Sequence, residues 1–194
     1  MPAPMSEKLA QLKAPQTAEE MLLTLKAISE YFLLMDRAFY AEDNLRRLFR
    51  AEKMKPLPEV FLEGSSWNIE TNSLPHYAFR FRGSAKAIFS KIKRPWKDNQ
   101  IGEEAFLDFR VIPEDNPFTP SLIAQVFGMP DKTYNQYAEE NNPFHRAPTE
   151  RATHPWGHLD IYYIHENARY KSILEFRLVF DGKPYNISIR QEEK

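Results

Sequence analysis

Apolar and polar residues alternate over most of the stretch from His158 to Arg190, the period-two pattern of strands buried on one face. Asp181-Gly182 has the chemistry of a type I′ hairpin turn, which needs positive φ at both central residues. Closing the chain there sets Leu178 opposite Tyr185, Phe176 opposite Ile187 and Leu174 opposite Ile189, all apolar pairs on one face. Glu175 with Ser188 and Arg177 with Asn186 fall on the other. A second turn centred on Glu166-Asn167 pairs Leu159 with Leu174, Ile161 with Ser172 and Tyr163 with Tyr170. Both hairpins bury the same face of the middle strand, and a one-residue slip in either would mix the two sets. The pattern predicts a three-stranded antiparallel meander. Its outward face carries His158, Asp160, Tyr162, Lys171, Ile173, Glu175, Arg177, Asn186, Ser188 and Arg190.

Residues 1–16, with Pro2, Pro4 and Pro15, read as a flexible lead-in. Thr17 and Glu20 form a capping box, behind which Met21, Leu25, Ile28, Phe32, Met35 and Phe39 recur at helical spacing. No glycine or proline interrupts 17–55, so helix can run as far as Lys53. An unbroken helix of that length would span roughly 50 Å, longer than a domain of this size is wide. A break near 41–44 therefore gives a second helix with Leu45, Leu48 and Phe49. The segment 59–75 reads as irregular. Tyr77, Phe79 and Phe81 alternate with Ala78, Arg80 and Arg82 as a strand. The favoured reading turns the chain at Gly83-Ser84 into a hairpin with 85–93, pairing Phe79 with Ile88, and a helix over 85–93 is the alternative. Leu107, Phe109 and Val111 form a further strand. Thr119-Pro120 starts a short helix over 119–127 with a capping hydroxyl and proline at its first position. Gly128 and Pro130 end it, and a long loop fills 129–157. The fold class is α+β: a long N-terminal helix, or helix pair, packed on an antiparallel sheet that ends in the meander. Residues 17–194 form one domain, with the sheet over 76–190.

The chain has 194 residues, 26 Lys and Arg against 27 Asp and Glu, and no cysteine. Charge balance argues against a globally basic nucleic-acid binder. The lack of cysteine removes disulfides, thiolate metal sites and a thiol nucleophile. No stretch has the apolar length of a membrane span, and the first residues lack a signal-peptide pattern, so a cytoplasmic location is the default expectation.

The densest charge feature is Arg80, Arg82, Lys86, Lys91, Lys93, Arg94 and Lys97, interleaved with Phe79, Phe81, Phe89 and Trp96. Single-stranded nucleic-acid binding uses such a mixture. Alternation, however, assigns the phenylalanines to the core side, so a solvated basic face is favoured, ahead of an acidic protein partner and then nucleic acid. His145, His154, His158 and His165 gather late in the chain, and His158 and Asp160 share one side of a strand. Two metal ligands or an acid–base pair have that spacing. Surface histidines are favoured over both, since His165 faces the other way. No catalytic, metal or cofactor motif stands out.

Two likenesses follow from these residues. The run Thr119 to Asp131 (TPSLIAQVFGMPD), a short helix ending in Gly-x-Pro and followed later by a meander, resembles small bacterial immunity and inhibitor domains, which neutralise toxins or enzymes by direct binding. The N-terminal helix with the closing meander (LEFRLVFDGKPYNISI) is similar to the NTF2-like fold, which hosts both enzymes and binding modules. The leading expectation is a non-enzymatic protein-binding module with a toxin or effector as partner. It would bind through Tyr134, Tyr137, Phe144, Arg146, Arg151, Trp156, His158, Asp160, Tyr162 and Arg177. The alternative is an NTF2-like ligand-binding or hydrolytic domain with a pocket near His158, Asp160 and Tyr162. A homodimer is a further option, through a pair of N-terminal helices.

Overall fold

The computed structural model describes residues 5–49, 53–56, 66–71, 83–94, 100–111, 116–135, 159–178 and 183–194. Among the described residues there are four α-helices: α1 (Met5–Gln11), α2 (Ala18–Glu30), α3 (Glu42–Phe49) and α4 (Pro120–Phe127). Eight strands accompany them: β1 (Lys53–Pro56), β2 (Ser66–Thr71), β3 (Gly83–Arg94), β4 (Gln100–Val111), β5 (Lys132–Asn135), β6 (Leu159–Glu166), β7 (Tyr170–Leu178) and β8 (Pro184–Glu193). They form one antiparallel sheet in the order β1-β2-β3-β4-β8-β7-β6-β5. Two four-stranded meanders thus meet where β4 pairs with β8, and the chain passes between them through α4. The α+β class and the closing meander are as the alternation predicts. Among the described residues no helix is long and apolar enough to cross a membrane.

The helices cover one face of the sheet. Leu107, Phe109, Leu174, Phe176, Ile187 and Ile189 bury their side chains there, beneath Leu22, Leu25, Ile28 and Phe49. An edge-to-face chain of rings runs from Phe39 through Phe49 to Phe109, at 6.1 and 5.3 Å. Phe127 of α4 lies 4.8 Å from Tyr163 and 5.2 Å from Phe176. At the start of α4, Thr119 Oγ1 accepts from the Leu122 amide at 3.2 Å. At its end Gly128 takes φ 75°, and Lys26 Nζ donates to the Val126 carbonyl at 2.9 Å.

The long helix does not form. All six apolar residues of the 21–39 stripe are buried, but α2 stops at Glu30, and Phe32 adopts the left-handed φ of 55°. Two 3-10 turns, Leu33–Met35 and Arg37–Tyr40, follow before α3. The first break therefore precedes the expected 41–44, although α3 does begin at Glu42 and buries Leu45, Leu48 and Phe49. Its cause is non-local. Gln191 of β8, fully buried, donates from Nε2 to the Ile28 carbonyl at 2.8 Å and accepts at Oε1 from the Leu34 amide at 2.9 Å. It thereby supplies partners to backbone groups that a helix end leaves unmatched. Ser172 of β7 bridges Gln191 Nε2 at 3.1 Å and Ser29 Oγ at 2.9 Å.

Other departures have similarly local or long-range causes. The lead-in contains α1, held by buried Leu9 and by Arg47 of α3, which donates to the carbonyls of Leu9 and Leu12. Strands β1 and β2 occupy parts of the stretches read as helical and irregular, so the sheet begins at Lys53. Gly83 and Ser84 open β3 rather than turning the chain, and Ile88 pairs with Ser66 and Phe106, not Phe79. The strand expected at 77–82 lies outside the described residues. Strand β5 falls within the expected loop 129–157.

In the C-terminal meander, Phe176–Ile187 and Leu174–Ile189 pair as the alternation predicts. The β6–β7 register is shifted by four: Leu159 meets Leu178, Ile161 meets Phe176 and Tyr163 meets Leu174. An even shift preserves the buried face. The turn moves along the chain to 168–169: the Asn167 amide donates to the Tyr170 carbonyl at 3.0 Å, and Asn167 Oδ1 accepts from the amides of Arg169 and Tyr170, at 2.8 and 2.7 Å. The β7–β8 ladder also slips after Arg177, so Leu178 meets Pro184 instead of Tyr185.

Replacing Gln191 with leucine keeps the volume and removes every one of its hydrogen bonds. Urea unfolding should show a loss of about 3 kcal/mol, from stranding the Leu34 amide and the Ile28 carbonyl. A loss below about 1 kcal/mol would contradict this reading of the junction.

Candidate functional site

The sheet face turned away from the helices is built of cross-strand rows. The first is Asp160–Arg177–Asn186–Arg110, and the second is Tyr162–Glu175–Ser188–Asp108. The third is Ile164–Ile173–Arg190–Phe106–Ile88, and the fourth is Glu166–Lys171–Glu192–Glu104. A half-buried apolar belt, interrupted by Arg190, thus crosses five strands between two charged margins.

Glu175 is the hub of this face. Its carboxylate accepts from Tyr162 Oη at 3.2 Å, Ser188 Oγ at 3.0 Å, and Arg177 Nε and Nη2 at 3.0 and 3.4 Å. Next to it Asn186 Nδ2 donates to Asp108 Oδ1 at 2.6 Å. The acids are sunk and the guanidinium groups stand proud: the Arg177 side chain is 47% exposed against 13% for Glu175, and Arg190 is 49% exposed against 19% for Glu104. Arg190 Nε lies 2.5 Å from Glu104.

Protonation states on this face are held away from neutrality. Burial, then the charges of Glu175 and Asp160, push the Tyr162 phenol well above its ordinary range. Burial also raises Tyr185, with Arg177 pulling it back. The hydrogen bond to Glu175 raises Arg177. Hydrogen bonds from Lys194 and Lys171 lower Glu166. An acid–base catalyst works with a pKa near the operating pH, and each of these shifts moves in the opposite sense. The arrangement is suited to presenting fixed charges, phenols and apolar contacts.

Of the residues singled out from the sequence, Asp160, Tyr162 and Arg177 come together here. Asp160 sits across from Arg177 and contributes to the potential at Tyr162 and Tyr185. The outward face is less solvated than expected, because Asp160, Asn186 and Ser188 are buried. Tyr134 pairs with Asp160 through its backbone on β5. Tyr137, Phe144, Arg146, Arg151, Trp156 and His158 lie outside the described residues, as do Arg80, Arg82 and Lys97. Lys86, Lys91, Lys93 and Arg94 lie along β3, where Lys86 is in register with Asp108 and Lys91 with Glu103. Among the described residues no group of three His, Asp or Glu side chains could hold a metal ion.

Nothing local in the sequence marks Glu175 as a hub, brings Tyr185 to this face or announces the contribution of β4. Asp108 and Arg110 alternate visibly with Leu107 and Phe109, but nothing local says that β4 lies beside β8. Alternation places Tyr185 on the core side, whereas the slip after Arg177 brings it into interaction with Arg177, Asp160 and Glu175. No protein-family model matches the chain, and neither a curated protein nor a solved structure matches it significantly.

Folding raises Tyr40 and Tyr162 above the ordinary 10.0. The stability they contribute is complete below pH 10 and is lost as pH rises through their folded values, so the fold should weaken in the alkaline window. In a carbon-13 tyrosine titration, Tyr162 should ionise well after an exposed tyrosine. Glu175→Gln should lower its midpoint without restoring 10.0, because burial remains. An unchanged midpoint would show that Glu175 does not act on the phenol.

Proposed function

We propose that the chain is a non-enzymatic protein-binding module that docks its partner on the β6–β7–β8–β4 face. The observation that supports this reading most is the Glu175 hub, which fixes Arg177 and Tyr162 in place before any partner arrives. Side chains ordered in advance reduce the entropic cost of association. Arginine and tyrosine are common binding hot spots, and an apolar belt between charged margins follows the core-and-rim layout of protein interfaces. Because the guanidinium groups protrude and their carboxylates recede, the partner surface is acidic opposite Arg177 and Arg190. Such a module acts by surface complementarity, as immunity and inhibitor proteins do, and a toxin or effector is the class of partner this reading names.

A second reading is a ligand-binding domain of NTF2-like form. Its support is one observation, the burial of the Asp160 carboxylate near two phenols.

Quantitative affinity capture from the native host separates the two. Wild-type bait should retain one protein in stoichiometric amount, and Arg177→Glu and Ile173→Asp baits should lose it. The same proteins on all three baits, or none on any, would overturn the proposal.

A further inference from the structure

The turn that joins α4 to β5 holds an apolar side chain out in water. Met129 is 90% exposed, the most exposed large apolar residue among those described. The backbone on both sides of it is tied down. The Gly128 amide donates to the Ala124 carbonyl at 2.8 Å, and the Gly128 carbonyl accepts from Tyr163 Oη at 3.2 Å. Beyond Pro130, the Asp131 amide donates to the Tyr162 carbonyl at 2.9 Å, and Asp131 Oδ2 accepts from the Ile164 amide at 2.7 Å. A turn fixed from α4 on one side and from β6 on the other does not fold its thioether back against the core. Other methionines are placed differently: Met21 and Met35 are 3% and 5% exposed, and Met5 is half-buried. With no cysteine in the chain, thioethers are its only sulfur.

We propose that Met129 is a reversible oxidation site, which accepts one oxygen atom from a hydroperoxide. The sulfur lone pair attacks one peroxide oxygen, an S–O bond forms and the O–O bond breaks. The proton on the transferred oxygen passes to the departing one, which leaves as an alcohol or as water. Sulfur is oxidised by two electrons to the sulfoxide and the peroxide is reduced by two. A dithiol-dependent methionine sulfoxide reductase reverses the change: the oxygen leaves as water and the dithiol becomes a disulfide. Oxidation makes an apolar side chain polar and so disrupts a core. At Met129 it disrupts nothing, because a side chain this exposed packs against almost nothing. The site belongs to the α4–β5 turn and not to the sheet face assigned to the partner, so the two proposals stand or fall separately.

Exposure of the full chain to hydrogen peroxide, with peptide mass spectrometry following each methionine, tests it. Sulfoxide should form at Met129 at least about ten-fold faster than at Met21 or Met35, because buried sulfurs are reached only when the core opens. In the chain unfolded by urea the three rates should converge. Protein oxidised at Met129 but not at Met21 or Met35 should keep the circular dichroism and the urea midpoint of the unoxidised chain. A methionine sulfoxide reductase with dithiothreitol should then restore the thioether. Equal rates in the folded chain, a Met129 advantage that survives unfolding, a lowered midpoint after oxidation there, or a sulfoxide that the reductase leaves in place would overturn the proposal.

Discussion

A helix that ends inside a protein must find partners for its last carbonyls, and in this chain the Ile28 carbonyl finds one in a side-chain amide on the far side of the sequence. Gln191 takes the Ile28 carbonyl and the Leu34 amide together, across a bend at which Phe32 adopts a left-handed conformation uncommon for any residue but glycine. The strained residue persists because its surroundings determine it from both sides: the Gln191 amide on the backbone, and the Tyr170 ring 5.9 Å from the Phe32 ring. The consequence is geometric. Turning the chain at residue 31 lets the remaining apolar residues of the stripe reach the sheet through two 3-10 turns, where a straight helix would have carried them past it.

That junction also explains the division of the sheet into two faces. On the helical side Ser172 and Gln191 occupy positions where alternation would place apolar residues, and both are fully buried and fully engaged. Polarity on that side is internal and structural. On the other side it is arranged around Glu175, whose carboxylate is sunk beneath the arginine it orients. Exposed ion pairs contribute little to stability, and Arg177 and Arg190 are each about half exposed. Their value lies in holding guanidinium groups in defined positions next to an apolar belt.

Much of this was legible along the chain because period-two alternation reports which face of a strand is buried. It holds even where the pairing differs, since the β6–β7 ladder is shifted by four residues from the hairpin that the pattern predicts, and an even shift keeps every side chain on its face. The helix caps at Thr17 and Thr119 were equally local and equally readable. What escaped was everything that depends on a distant partner. The end of α2 is decided by a glutamine 163 residues away from Ile28. The order of α1 depends on Arg47. The candidate site was half visible: Asp160, Tyr162 and Arg177 follow from alternation on β6 and β7, whereas Asp108 and Arg110 join them only through the β4–β8 pairing, and Tyr185 only through a slip in the ladder.

The account rests on the Gln191 amide tying the helical layer to β8, and native-state hydrogen exchange at the Leu34 amide reads that bond directly. A group released only when the whole domain opens exchanges with the free energy of global unfolding. The Leu34 amide should therefore be protected to the same level as the amides of Leu174 and Ile189 in the centre of the sheet. Exchange at the rate of an exposed loop, while those strand amides stay protected, would show that the junction does not hold the two layers together.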